Sequence, residues 1–457
     1  MATAWRWTDV RTVDFDLRQA RFHDGALLSP EDVVYSLNRA RVSAAFMTGL
    51  RAVDVVTPTP TGGVRISLAR PDPMLLEALA DVPVVSKRWA AEIRLPTKPG
   101  PAPAAIAQAN GTGPFRLESY RPGLETVLQR RDAWWGRPAP ALSRVIITPI
   151  DSDHTRSATL LSGAADLVDA VPLQDLTLLR ESGRSDIRVA TRPGVLTLFL
   201  GLNTGRDKLS AAPGPSVPNP MRDRRVRAAL REAIDVPVLA QRILRGLTHP
   251  HDQFVAPGVA GYVESDAKGG QEGSRRKSAE QARIMLAEAG FPDGFRLRLD
   301  CTNDRYLADE EICTALVAML ARSGIAIALN VQSKNKVMPL LYDGRSDFYL
   351  LGLIPFTLDG FAVAEALFGS RDIPGRGVLN VGQYHSETLD AHLDRALAAL
   401  DRAKRDEAVA AALHHARDDV AAIPLFTVPV LWAYRAWLEV PQPATGRVHL
   451  ERVIVRD

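Results

Sequence analysis

The residue types that most often carry chemistry are sparse in this chain and poorly spaced for it. His249-Pro250-His251 and His414-His415 are the two close histidine pairs. Adjacent or proline-locked imidazoles rarely converge on one ion without a carboxylate or thiolate beside them, so solvated side chains and no bound metal are expected. The chain contains no Gly-x-Ser-x-Gly elbow, no Walker loop, no His-Glu-x-x-His and no Cys-x-x-Cys. Gly111 and Gly113 sit in Asn110-Gly-Thr-Gly-Pro-Phe115, but no Lys-Ser/Thr follows and the next segment reads as a strand. A backbone turn is therefore predicted there rather than a phosphate cradle. Cys301 closes a strand-like run and Cys313 lies within a helix-like one, so their sulfurs can meet where the helix packs back beside the strand end. In a reducing compartment they would remain two thiols; in an exported protein they would form a disulfide. The pattern predicts no catalytic residue and no cofactor, and fits a binder better than an enzyme.

Composition narrows the class further. With 457 residues, 46% of them hydrophobic, the chain can bury a large core and is long enough for two or more lobes. Its 56 basic and 53 acidic residues nearly cancel. The arginines are scattered, which predicts a solvated surface and no nucleic-acid partner. No run approaches the ~18 to 20 consecutive apolar residues of a membrane span, and MATAWRWTDVR lacks the roughly 7–15-residue apolar core of a secretory signal.

The elements that must position any site are legible in order. Val13, Phe15 and Leu17 alternate with polar neighbours, Asp24-Gly25 forms a turn, and a helix follows. Ser29 caps that helix, Pro30 occupies its first turn, Glu31 and Asp32 oppose its dipole, and Val33, Val34, Leu37 and Ala40 share one face. Residues 53–68 read as two strands, 96–109 as an exposed Pro/Ala loop, and Gly194–Asn203 as a strand buried on both faces. A linker over 205–220 precedes the helix Asp223–Ile234, and 264–277 is polar and glycine-rich. Strand 295–301, helix 308–322 and strand 325–331 make a β-α-β unit with parallel pairing. A buried strand covers 347–353, two Ala/Leu-rich helices lie within 388–422, and 423–434 reads as one last buried strand.

Several of these segments share their wording with one family. A strand ending in Leu17-Arg18, then Phe22-His-Asp-Gly25 and the helix start Ser29-Pro-Glu-Asp-Val33, resembles the signature of the family-5 extracellular solute-binding proteins, the peptide-, nickel- and opine-type receptors of ABC importers. The turn Gly111-Thr-Gly-Pro-Phe115, the Trp134-Trp135-Gly136 that follows, Gly163-Ala-Ala-Asp166 and the helix Val226-Arg-Ala-Ala-Leu230 are similar to its later motifs, in the same order. The resemblance implies an α/β, two-lobed periplasmic-binding-protein-like fold of class II, in the large cluster with an extra first-lobe subdomain, with mixed sheets flanked by helices and an interlobe cleft. Residues 1–202 plus 428–457 would form the first lobe and 203–427 the second. In the family the Leu17–Arg41 stretch follows further first-lobe strands, so the first lobe is expected to be incomplete at its N-terminus.

The resemblance also implies the function: a non-enzymatic, periplasmic, monomeric binding component that captures an oligopeptide or peptide-like solute and delivers it to membrane permease subunits. A cytoplasmic solute sensor on the same fold, a truncated non-functional copy and a hydrolase with a dispersed site remain as alternatives. In peptide-binding members a Trp-x-x-Asp-x-x-Asp-Pro pattern follows the 347–353 strand, and its first Asp pairs with the ligand ammonium. This chain places Leu353, Phe356, Asp359 and Gly360 at those positions. A buried ammonium without a carboxylate partner costs several kcal/mol. An apolar wall suited to a less cationic solute is therefore expected, with Phe356, Thr357, Asp359 and Phe361 as ligand residues. Asp359 has a competing role as the cap of the helix after it. Trp432 and Tyr434 are candidate wall residues that could equally be core, and Asn203 could contact the solute or satisfy backbone groups at the hinge.

Overall fold

The computed structural model describes residues 1–43, 49–96, 102–181, 184–209, 218–248, 250–263, 278–355 and 357–456. His249, Phe356 and the whole stretch 264–277 lie outside the described residues. The chain divides into two units. One comprises Met1–Ile150, Ala436–Pro441 and Val448–Asp457; the other comprises Asp151–Arg435 and Gln442–Arg447.

In the first unit, β1 (Ala2–Asp9), β2 (Thr12–Leu17), β3 (Val53–Pro58) and β4 (Val64–Leu68) form an antiparallel sheet in the order β1-β2-β4-β3. Val13, Val56 and Ile66 point from it into a core completed by Val33, Leu37 and Ala40 of the helix Pro30–Ala40. That helix starts on a capping box. Ser29 Oγ accepts the Asp32 N–H, and Asp32 Oδ2 accepts the Ser29 N–H at 2.9 Å. The other oxygen of the same buried carboxylate accepts the Lys87 N–H at 2.7 Å, so one side chain fixes the starts of two helices.

A second sheet of this unit joins β5 (Phe115–Arg121), β6 (Glu125–Arg130) and β7 (Arg144–Ile147). The glycine turn before β5 is held by His23, whose Nδ1 accepts the Gly111 N–H at 3.2 Å while Nε2 donates to the Gly113 carbonyl at 3.1 Å. Burial lowers the pKa of this imidazole, which suits the neutral tautomer that both bonds require. The 96–109 stretch is not all loop: Pro103 opens a short helix, Pro103–Ala107.

The second unit carries β8 (Leu167–Asp169), β9 (Ile187–Arg192), β10 (Thr197–Leu202), β11 (Phe295–Thr302), β12 (Ile325–Gln332), β13 (Phe348–Leu353), β14 (Ala422–Thr427) and β15 (Val430–Arg435). They form a three-stranded sheet, β8-β15-β9, and a five-stranded mixed sheet, β12-β11-β13-β10-β14. β11 and β12 run parallel, joined by the helix Asp309–Ala321. Every residue of β10 is buried: Leu198, Leu200 and Leu202 enter one hydrophobic core and Phe199 enters the other. Cys301 at the end of β11 is bonded to Cys313 in the following helix, with their Cα atoms 6.6 Å apart.

The single strand expected over 423–434 is two strands in two sheets. Pro429 supplies no N–H to a ladder, and at Val428-Pro429 the chain leaves the five-stranded sheet for the three-stranded one. The β9–β10 connection crosses beside it, where Val428 N–H donates to the Leu196 carbonyl at 2.8 Å. A Cβ at Gly194 would collide with the Val428 carbonyl, so glycine is required for this approach.

Replacing Asp32 with Ala removes its half of the capping box and leaves the Ser29 and Lys87 amides without their carboxylate partner. A loss of about 1–3 kcal/mol is expected in urea unfolding followed by far-ultraviolet circular dichroism.

Candidate ligand-binding segment

The segment after β13 turns sharply into a helix. Leu358 adopts a left-handed φ of 53°, and Asp359 caps the helix Gly360–Phe368. Asp359 Oδ1 accepts the Phe361 N–H at 2.7 Å, and Oδ2 accepts Arg405 Nη1 at 2.7 Å. Both side chains of this ion pair are about 5% exposed, at 6% and 5%. The Arg405 guanidinium also lies 5.5 Å from the Phe361 ring centroid. Each oxygen of Asp359 therefore already serves an internal partner. Thr357 is half-buried, and Phe361 is buried in the core beside Val409 and Leu413. Phe356 lies outside the described residues.

A loop spanning 250–263 supports this turn. It bridges to β14 through Pro250 and Phe426, and to the helix start through Ala260, whose N–H donates to the Leu358 carbonyl and whose carbonyl accepts the Gly360 N–H. Within the loop, Gln253 closes the chain on itself, donating to the Val263 carbonyl and accepting the Val263 N–H. His251 Nδ1 accepts the Gln253 N–H at 3.4 Å, and Nε2 is buried with no hydrogen-bond partner among the described residues. Burial pushes this imidazole down to about 4.

The other candidate residues stand apart from this turn. Asn203 is fully buried at the far end of β10, where its Nδ2 donates to Asp347 Oδ1, its Oδ1 accepts the Arg206 N–H and its carbonyl accepts from Asn219. β10 and β13 pair antiparallel from Thr197↔Leu353 to Leu202↔Phe348. That places Asn203 roughly 20 Å along the strands from Leu353. Trp432 is 2% exposed in β15, paired with Ala190 of β9 and Asp169 of β8, and Tyr434 is buried beside Leu167 and Arg188. The structure thus brings together Thr357, Asp359 and Phe361, and does not bring Asn203 to them.

Arg405 escaped the sequence reading, although it occupies the inward stripe of its helix with Ala408, Val409 and Ala412. A charge on an apolar stripe was the signal that a buried partner awaited it. Among the described residues, no group of three or more His, Cys, Asp or Glu is placed to hold a metal ion, and no helix is long and apolar enough to cross a membrane.

The mixed five-stranded sheet, its companion three-stranded sheet and the paired connections between them define a periplasmic-binding-protein fold. The solved structure of AgaA from A. tumefaciens R10 in complex with agropinic acid matches all of this chain and 89% of its own, with a TM-score of 0.81 and 23% identity. DppA from Helicobacter pylori in complex with the peptide STSA matches with the same coverage and TM-score at 20% identity. Residues 1–375 match the middle region that characterises the bacterial extracellular solute-binding proteins, family 5, and the chain belongs to that family. The glutathione-binding protein GsiB of Escherichia coli K12 is 22% identical over 84% of this chain and 71% of its own length. Its Shigella flexneri counterpart is 23% identical, over 65% of this chain and 54% of its own. Proteins of this family are the solute-binding components of ABC importers and are not enzymes.

Two outcomes test the local electrostatics. Arg405→Ala strands the Asp359 carboxylate in the core and is expected to cost about 3–5 kcal/mol in urea unfolding, most of it regained in the neutral pair Asp359→Asn/Arg405→Met. For His251, the folded protein binds its proton less readily than the unfolded chain. Its contribution is complete above the free-imidazole pKa of about 6.5 and is lost as pH falls from there to about 4, by at most roughly 3 kcal/mol. His251→Phe should flatten the melting temperature between pH 6.5 and 4 relative to the parent protein.

Proposed function

We propose that this chain captures a small peptide-like solute between two hinged lobes in the periplasm, as a monomer, and delivers it to membrane permease subunits. The observation that carries this reading is the pair of adjacent connections at 193–196 and 428–429, which join the three-stranded and five-stranded sheets at one end of β10. Two short crossings side by side can absorb a rotation that neither sheet can absorb internally. We draw the hinge there, so that β10 moves with the second lobe and the lobes run 1–192 with 430–457 and 197–427.

The solute is expected to meet Thr357, after β13 at the end of the sheet where these crossings lie, with Phe356 next to it in the sequence. Phe356 stands where peptide-binding relatives carry the ammonium-pairing acid, and Asp359 is committed to Arg405. Both favour a solute whose ammonium group is absent, distant or held by a different acid. GsiB is named for glutathione, a peptide whose first linkage runs through a side-chain carboxyl, and AgaA was solved with agropinic acid. Both solutes fit that requirement.

Differential scanning fluorimetry against dipeptides, glutathione and opines, followed by small-angle scattering on any positive, tests the reading. A cognate solute at a hundredfold excess over its Kd should stabilise the protein by about 2.7 kcal/mol and reduce its radius of gyration. A panel in which nothing shifts the melting temperature would refute the receptor role.

A further inference from the structure

The candidate segment begins where β13 ends, and that end is held by a side chain rather than by a strand. β11 pairs with β13 only at Leu299↔Phe348 and Asp300↔Tyr349. Beyond that point the β11 side of β13 has no ladder partner among the described residues, and Tyr306 replaces one. Its hydroxyl accepts the Gly352 N–H at 2.8 Å and donates to the Gly352 carbonyl at 3.2 Å. Its ring packs close to the Gly352 Cα: a Cβ there would lie 2.8 Å from Leu198 Cδ2 and 3.0 and 3.2 Å from ring carbons Cε1 and Cζ of Tyr306. Tyrosine at 306 and glycine at 352 form a matched pair.

Tyr306 is itself fixed from three sides. Asp309 Oδ2 accepts Thr302 Oγ1 at 2.6 Å and the N–H groups of Arg305 and Tyr306 at 3.2 Å, while Oδ1 accepts the Glu310 N–H at 3.1 Å. The Arg305 guanidinium lies 5.2 Å from the Tyr306 ring centroid. The Cys301–Cys313 disulfide, with both residues fully buried, closes the loop that carries Tyr306. The loop is therefore pinned covalently at its ends and electrostatically at its middle, and it reaches outward through Asp304, whose Oδ1 accepts the Lys334 N–H at 2.6 Å, and through Tyr306, which holds Gly352 near the end of β13.

We propose that Tyr306 is a positioning residue for the solute segment, setting the path of residues 353–355 and 357–361 through Gly352, and that the Cys301–Cys313 disulfide keeps Tyr306 in place. The inference rests on the solute reading above only for its consequence in affinity; the ordering of the segment stands without it. Losing both hydroxyl bonds leaves the Gly352 amide unsatisfied and frees the turn that follows. Opening the disulfide loosens the same clamp from further away, so a solute is held less tightly by the reduced protein than by the oxidised one.

The test compares the full chain with Tyr306→Phe, which keeps the ring, and with Cys301→Ala/Cys313→Ala. Hydrogen exchange is read at the amides of Gly352–Ile354 and Thr357–Phe361, with β10 and β14 as internal reference. In Tyr306→Phe these amides are expected to exchange about tenfold faster while the reference is unchanged, with a smaller acceleration in the double cysteine variant. Calorimetry with S-methylglutathione, whose blocked thiol cannot reduce the disulfide, should show affinity falling about tenfold in Tyr306→Phe and less in the cysteine variant. Unchanged exchange in Tyr306→Phe overturns the proposal, as does accelerated exchange with the wild-type affinity for S-methylglutathione retained. Failure of the wild-type protein to bind S-methylglutathione counts against that solute, and the exchange result then decides the role of Tyr306.

Discussion

The second unit depends on how closely two backbones approach at Gly194 and Val428. The Val428 carbonyl occupies the space a side chain at 194 would need, and Val428 donates to Leu196 at the same crossing. This contact sets β10 and β14 side by side and sends β9 and β15 together into the neighbouring sheet. A larger residue at 194 would push the two connections apart and break the register from which both sheets are extended.

From that crossing the rest of the unit is assembled outward. β10 faces two cores, so its leucines and Phe199 leave no solvent side, and strands on both flanks must supply complementary apolar faces. Helices from either end of the chain segment then close the two cores. Some of the buried polar groups lie in or beside strands, where Asn203 meets Asp347 and Asp300 meets Ser346 and Asn330; others pair between helices and loops, as Asp359 does with Arg405 and Asp390 with Arg376.

Much of this was legible from local pattern. Ser29 announced the first helix because a cap, a proline and two acids act within a single turn, and the β-α-β unit was announced by periods of two and 3.6 in succession. What stayed hidden depends on partners remote in sequence. Asp359 could be read as a cap, but Arg405 at its other oxygen is 46 residues away, and Tyr306 reaches Gly352 across the same separation. The apolar run 423–434 concealed a change of sheet, because all its residues but the half-buried Val428 and Val430 are buried, and Pro429, at the break, is matched by a second proline, Pro424, inside β14. At the candidate site, the order of residues was visible and their engagement with one another was not.

The Asp359–Arg405 pair has one more consequence. A binding wall that presents a free carboxylate draws cationic solutes through a field that counterions weaken, so capture there falls as ionic strength rises. Here the Asp359 carboxylate is already answered within the core by Arg405, beneath nearly complete burial, and the same guanidinium lies 3.7 Å from Asp406 Oδ1, so Asp359 offers no free charge to a solute. On the function proposed above, recognition at this turn would rest on shape and dispersion contacts, and capture there would respond little to ionic strength.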